Sequence, residues 1–141
     1  MKKIALIFAV LFVPFILQAQ SVEGLWKTID DETGKEKSIV KVYESDGKLY
    51  GQVVRVLDKK PGTVPKCTEC EGKMKNKNIE GMTIVFGLEK NKDKWEGKDG
   101  ILDPAKGKYY KCKIWLESAD KLAVRGQIGP IGRTQTWHRM K

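Results

Sequence analysis

The chain has 141 residues and a formal net charge of +9, from 27 Lys and Arg against 18 Asp and Glu. This length is enough for one domain that buries its own core, and three cysteines are too few for a disulfide-dense scaffold. No internal repeat or low-complexity segment is visible, so repeat architectures are excluded.

Residues 1–19 have the three parts of a secretory signal peptide. Lys2 and Lys3 form the charged part, residues 4–17 are an apolar run, and a small residue, Ala19, ends the segment. We expect cleavage after Ala19, which leaves a single domain of residues 20–141 in the periplasm or outside the cell. A transmembrane anchor needs roughly 20 apolar residues, and this run is shorter. The mature chain is therefore expected to have no transmembrane segment.

The charge of the mature chain falls to +7 when Lys2 and Lys3 leave with the leader. A positive excess favours acidic partners such as anionic lipid headgroups, acidic polysaccharides or nucleic acid. Export disfavours nucleic acid among them. Lysines that are scattered over the surface and keep a small domain soluble would produce the same balance, so the charge alone selects no partner.

Eight short runs rich in Val, Ile, Tyr, Trp and Thr follow one another, and Gly, Asp, Asn and Pro clusters separate them. In chain order, the predicted strands are 22–29, 37–44, 48–57, 82–88, 94–102, 108–117, 121–128 and 133–140. Asp46-Gly47 is a hairpin signal because both positions tolerate positive φ, and Asp103 to Gly107 reads as a turn with Pro104 at its second position. These connections predict antiparallel neighbours.

Strands joined mostly by hairpins leave two open edges unless the sheet closes. The sequence therefore predicts an all-β fold, an up-and-down antiparallel eight-stranded barrel with room for side chains and one small ligand. A two-sheet sandwich is the alternative. Period-two alternation predicts three inward stripes, whose members are Tyr110, Cys112, Ile114 and Leu116, then Met82, Ile84, Phe86 and Leu88, then Leu122, Val124 and Ile128.

A long segment, 58–80, interrupts the regular strand spacing and contains Cys67-x-x-Cys70. In an oxidising compartment the first hypothesis is a structural disulfide between Cys67 and Cys70 that pins the loop. Thiol–disulfide exchange is a second. A zinc site is a third and needs Cys112 and His138 to join the pair, although the usual zinc spacings are absent. We expect no metal.

Few residues support catalysis. The sole imidazole is His138, no spacing singles out a nucleophile or a pair of carboxylates, and no glycine-rich phosphate loop is present. We therefore assign no catalytic residue, expect no cofactor and expect a protein without enzymatic activity.

Gly24-x-Trp26 on the first predicted strand and Arg139 on the last are similar to a pair of features in the calycin group, which includes lipocalins and fatty-acid-binding proteins. In that group a basic side chain from the last strand packs on the Trp and closes the barrel. A guanidinium over an indole gains cation–π and packing energy. The resemblance implies barrel closure through Gly24, Trp26 and Arg139.

A wider set of motifs covers nearly the whole mature chain and resembles an uncharacterised family of exported bacterial proteins, domain of unknown function 2147. The motifs are Gly24-x-Trp26, Gly47-x-Leu49-Tyr50-Gly51, Cys67-x-x-Cys70-x-Gly72, Gly81-Met82, Trp95-x-Gly97, Asp103-Pro104-x-x-Gly107-x-x-Tyr110, Leu122-x-Val124-Arg125-Gly126 and Gly132-Arg133-Thr134-Gln135-Thr136-Trp137. The resemblance implies a calycin-like β-barrel in the cell envelope and brings no established activity or ligand.

The first functional hypothesis is a lipocalin-like envelope protein that binds a small amphipathic or lipidic molecule inside the barrel. Arg125 or Arg133, each beside a glycine, would hold an acidic head by bidentate contacts. Surface ion pairs or packing on Trp would account for the same arginines. The alternative function is an envelope interaction module that docks an acidic lipid, glycan or protein through the basic, Cys-containing loop 58–77.

Overall fold

The computed structural model describes residues 7, 9–14 and 20–141. The predicted signal peptide, 1–19, and its cleavage point after Ala19 fall mostly outside the described residues, so both stay predictions. Within the described ranges, no helix is long and apolar enough to cross a membrane.

Eight antiparallel strands form a closed barrel in which each strand pairs with its neighbours along the chain and the first pairs with the last. The strands are β1 Gly24–Ile29, β2 Glu36–Ser45, β3 Lys48–Val56, β4 Thr83–Asn91, β5 Lys94–Asp103, β6 Lys108–Ser118, β7 Lys121–Ile128 and β8 Ile131–Arg139. A short 3-10 helix, Gly72–Met74, lies between β3 and β4. The predicted up-and-down barrel is confirmed, and the sandwich is excluded.

Alternation along the strands fills the barrel interior. Cys112 and Ile114 of β6 and Leu122 of β7 are fully buried, and the neighbouring Lys113 and Lys121 are not. Burying large aliphatic side chains contributes about 1.5–3 kcal/mol each, so this interior is the main source of stability. Asp46 and Gly47 have φ values of 51° and 75°, as a type I′ hairpin turn requires.

The predicted inward stripe of β4 is confirmed at Met82, Ile84 and Leu88, which are buried, whereas Phe86 is only partly buried at the edge of the core. Gly87 has a φ of 53°, and near it the register of β4 shifts in the pairing with β3 and in the pairing with β5. A bulge therefore breaks the alternation. Ile84 and Val85 are consequently both buried. The Phe86 ring also packs against the exposed Tyr109 ring, with their centroids 5.6 Å apart.

The two ends of the barrel differ. Short hairpins join β2 to β3, β4 to β5 and β6 to β7 at the closed end, where Trp26 is fully buried. The β1–β2, β3–β4, β5–β6 and β7–β8 connections gather at the other end, the open end, and the one between β3 and β4 spans 57–82. The long loop is therefore placed beside the open end of the barrel.

Candidate functional site: a cavity at the open end of the barrel

A cavity of about 490 Å³ occupies the open end, and all eight strands contribute to its wall. This volume falls in the range of pockets that hold small molecules. Aliphatic side chains cover much of the wall, chiefly Val53, Val56, Ile84, Ile101, Leu102 and Val124. The site is therefore suited to an apolar group.

A glycine leaves space in this wall. Gly126 lines the cavity, and a Cβ added there would lie 3.7 Å from Cβ of Tyr110, an ordinary van der Waals contact. Because the position carries no side chain, the interior stays open between Tyr110 and the end of β7. A larger side chain at Gly126 would project into the cavity without backbone strain.

Three polar side chains of the wall, Thr28, Ser38 and Trp137, lie on β1, β2 and β8, and further polar lining residues lie across from them, including Asp103 on β5 and Tyr110 on β6. The Thr28 and Ser38 hydroxyl oxygens are 2.7 Å apart. Trp137 is 2% exposed, and its indole Nε1–H is the one buried side-chain N or O atom of the described residues without a hydrogen-bond partner. Sequence reasoning missed these three residues, although alternation with Trp26, Val40 and Gln135 puts Thr28, Ser38 and Trp137 on the inner face.

Arg133 lies at the mouth of the cavity, where it contributes to the lining. Its Nε is 3.1 Å from a carboxylate oxygen of Asp31 and its Nη1 is 3.7 Å from one of Glu32. Gln135 donates from Nε2 to Asp31 at 3.2 Å. The β1–β2 loop therefore supplies two carboxylates to one guanidinium, and Arg133 has protein partners for its charge.

Arg125 points away from the cavity. Its Nη1 donates to the Thr134 hydroxyl at 3.2 Å, and its guanidinium fills the space that a side chain at Gly132 would need. Arg125 alternates with Val124 and Gly126, which do line the cavity. The structure thus separates the two arginines that the sequence analysis grouped, and of the two only Arg133 lines the cavity.

The predicted disulfide is confirmed: Cys67 and Cys70 are bonded, with their Cα atoms 5.4 Å apart and both residues buried. Cys67 Sγ lies 3.3 Å from the carbonyl oxygen of Pro104. A Cβ at Gly107 would collide with the backbone of Glu69, so only glycine permits this close approach. The bridge therefore holds the β3–β4 loop against the β5–β6 turn.

The same loop reaches the cavity. Pro65 and Ile79 are lining residues, and the Ile79 N–H donates to the Pro65 carbonyl at 2.9 Å. Cys67 donates its backbone N–H to Lys77 and its carbonyl accepts from Asn76, so the segment forms a small hairpin at the mouth. The disulfide thereby positions part of the cavity wall.

The remaining zinc candidates lie apart. Cys112 is fully buried in the barrel wall between Gly97 and Gly126, and burial raises the pKa of its thiol to about 12. His138 is exposed on β8, next to Lys27 and Lys121 of the flanking strands. Among the described residues, no three His, Cys, Asp or Glu side chains group as a metal site would need.

The lysines of loop 58–77 that the docking hypothesis invokes are exposed, including Lys66, Lys73 and Lys75. Lys59 is exposed as well, and its ammonium is paired with Glu80 at 3.1 Å. Docking of an acidic surface by this loop stays a prediction.

At the closed end, the guanidinium carbon of Arg139 lies over the Trp26 ring, 4.2 Å from its centroid. Trp26 and Arg139 are also paired across β1 and β8. Gly24 has a φ of 140°, and a Cβ there would lie 2.8 Å from Arg139 Nη1. The glycine therefore leaves room for the guanidinium beside the indole.

Comparisons with known proteins agree with this fold. Residues 24–139 match a family model described as an uncharacterized protein conserved in bacteria, DUF2147. A solved structure, protein HP1028 from Helicobacter pylori, described as belonging to the lipocalin family, has a TM-score of 0.73, 23% identity, and coverage of 87% of this chain and 85% of that one. At that identity the likeness concerns the fold. No curated protein matches the chain.

Proposed function

This chain belongs to the bacterial family DUF2147, and we propose that it is a non-enzymatic binding protein that holds a small amphipathic or lipidic molecule in its barrel. The observation that carries the proposal is the cavity itself, about 490 Å³ in volume and lined by aliphatic side chains with a few polar groups. Such a composition is typical of small-molecule sites, in which apolar area supplies affinity and a few polar groups fix orientation.

The cell envelope is the proposed place of action. It rests on residues 1–19, whose charged and apolar parts predict export, and on the Cys67–Cys70 disulfide, which an oxidising compartment maintains. An exported binding barrel would carry a poorly soluble molecule through an aqueous space or retain it there.

The test is titration of the purified protein with N-phenyl-1-naphthylamine, an uncharged probe whose fluorescence rises in apolar sites. We expect saturable binding to the wild type and loss of at least tenfold in affinity in Gly126→Leu, which places a side chain in the cavity. Thr136→Leu is the matched control, because it introduces the same leucine side chain at a position that does not line the cavity. Equal binding by both variants would mean that the probe sits outside the barrel.

A further inference from the structure

The polar residues of the cavity form one row across three strands. Thr28 on β1 pairs with Ser38 on β2. On the other side, β1 and β8 pair at Trp26 with Arg139 and at Lys27 with His138, so the next step of this register places Thr28 opposite Trp137. Trp137, Thr28 and Ser38 therefore neighbour one another on the inner wall, and all three line the cavity.

This row carries hydrogen-bond donors that the protein leaves without acceptors. The Trp137 Nε1–H has no partner, and because the nitrogen is itself buried behind its neighbours, an acceptor from the cavity reaches it when adjacent side chains shift. In the pair formed by Thr28 and Ser38, one hydroxyl donates to the other at 2.7 Å, and no further acceptor of the described residues takes the second hydroxyl proton. A buried donor without an acceptor costs about 1–3 kcal/mol and commonly marks the place of a water or ligand. The row is thus complementary to an acceptor oxygen.

The charges around the cavity indicate that this oxygen is uncharged. The lining cations are Lys37, Lys106 and Arg133. Arg133 faces Asp31 and Glu32, and the Lys37 ammonium lies 3.9 Å from Asp30. Lys106 is exposed in the β5–β6 turn at the rim. An anion buried on the row would lack a paired cation there, which is strongly unfavourable, whereas a neutral carbonyl needs only donors.

We infer that the cavity selects an aliphatic molecule with an uncharged carbonyl group, such as an ester, amide or ketone, and that the Trp137–Thr28–Ser38 row receives this carbonyl. The hydrocarbon part then lies against the aliphatic wall formed by β3 to β5. This inference rests on the proposed binding function and specifies its ligand class. It assigns the polar recognition to the row rather than to Arg133.

Three probes with ten carbons test the inference: 2-decanone, decane and decanoate. In ¹H–¹⁵N spectra we expect 2-decanone to move the Trp137 indole N–H signal downfield, with the signal assigned by its loss in Trp137→Phe. Decane should leave its position nearly unchanged. Competition with the fluorescent probe should rank 2-decanone as the tightest ligand of the three.

Two variants then remove donors from the row. Thr28→Val preserves the side-chain shape and Trp137→Phe removes the indole N–H, and each should weaken 2-decanone binding about threefold to tenfold, the size expected for one hydrogen bond. Decane affinity should not change in Thr28→Val. Trp115→Phe is the control, because Trp115 does not line the cavity and its ring lies beneath Lys94.

The outcomes separate this inference from the function it rests on. If decanoate binds most tightly and Lys106→Gln weakens it, the head group sits at the rim as an anion, and the inference is overturned while the binding function stands. The inference is also overturned, and the binding function stands, if the Trp137 signal does not move and the protein binds 2-decanone and decane with equal affinity. If the dye binds in the barrel and none of the three probes displaces it, the inference is overturned. If the dye binds Gly126→Leu as tightly as the wild type, or does not bind at all, the proposed binding function fails and the inference falls with it.

Discussion

Arg139 joins three parts of the chain around Trp26. Its guanidinium carbon lies 4.2 Å from the indole centroid, and its nitrogens donate to the carbonyls of Ser21, Glu23 and Ala119 at 2.7–2.9 Å. One side chain therefore holds the segment before β1, the β6–β7 turn and β8 together. The contact closes the barrel end opposite the cavity.

Truncating either residue should destabilise the barrel, and the two effects should overlap. Trp26→Ala empties a fully buried site, and large-to-small changes of this kind cost about 3–5 kcal/mol. Arg139→Ala should cost less, because the guanidinium is partly exposed. Since the side chains touch, denaturant unfolding of the double variant should give a loss smaller than the sum of the single losses.

A matched pair controls this cycle. Lys94 and Trp115 make a similar cation–π contact on the outer surface, at 4.7 Å, and their truncation should cost much less because neither side chain closes the barrel. Strict additivity of Trp26→Ala and Arg139→Ala would contradict the energetic coupling that we derive from the geometry.

The Cys112 thiol should be inert in the folded protein. Burial raises its pKa to about 12, so almost no thiolate forms near neutral pH, and the side chain is inaccessible. We expect no rapid reaction with an aromatic disulfide reagent at pH 8, and reaction of one thiol after unfolding with the disulfide kept intact. Fast labelling of the native protein would show that the β5–β7 wall opens.

The raised pKa of Cys112 should make the free energy of unfolding decrease at alkaline pH. A folded-state pKa above the unfolded value of about 8.5 favours the protonated thiol in the fold, so its contribution is complete below pH 8.5 and declines as the pH rises from there towards 12. Cys112→Ala should therefore lessen the loss of unfolding free energy between pH 8 and pH 10, measured in denaturant titrations. An unchanged slope would argue against this burial.

Removal of the disulfide should loosen the mouth of the cavity more than the barrel. The two cysteines are only 3 positions apart, so the chain-entropy contribution to global stability is about 2 kcal/mol. In Cys67→Ala/Cys70→Ala, hydrogen exchange should accelerate first at the Asn76 and Ile79 amides, which bond within the loop hairpin. Uniform acceleration over all strands would contradict a local role.

Glu80 should make the base of the same loop sensitive to acid. Its carboxylate accepts the Val56 N–H at 3.0 Å and lies 3.1 Å from the Lys59 ammonium, and these contacts hold the pKa of Glu80 below its ordinary value. A lowered folded-state pKa means that the contribution is present above about pH 4.3 and is lost as the pH falls through the folded value. Glu80→Gln should therefore remove part of the acid destabilisation, and exposed Glu117→Gln should not.

The fold was accessible from sequence because local signals repeat along it. Period-two alternation and turn chemistry placed eight strands near their observed bounds, and hairpin connections implied closure. Phe86 escaped this reasoning because the bulge at Gly87 depends on pairing with two other strands. Alternation with the inward Val124 predicts that Arg125 points outward, and this signal is more reliable than the neighbouring glycine on which the ligand-binding prediction was based.

The site was less accessible because its properties depend on contacts between distant segments. Arg133 is paired with carboxylates of the β1–β2 loop, roughly a hundred positions away along the chain, and no local sequence pattern predicts that pairing. The unpartnered indole of Trp137 likewise becomes visible only when every neighbour has been placed. Strand patterns find the wall of a barrel, and packing decides what its interior can hold.

Native mass spectrometry of the protein purified from its own host, combined with solvent extraction, tests the binding function most directly. The account predicts a mass adduct on the wild type that is absent from Gly126→Leu. The solvent extract of the wild-type protein should contain an aliphatic molecule with an uncharged carbonyl. Wild-type protein that is empty in every preparation, and that fails to take up 2-decanone when it is added, would contradict it.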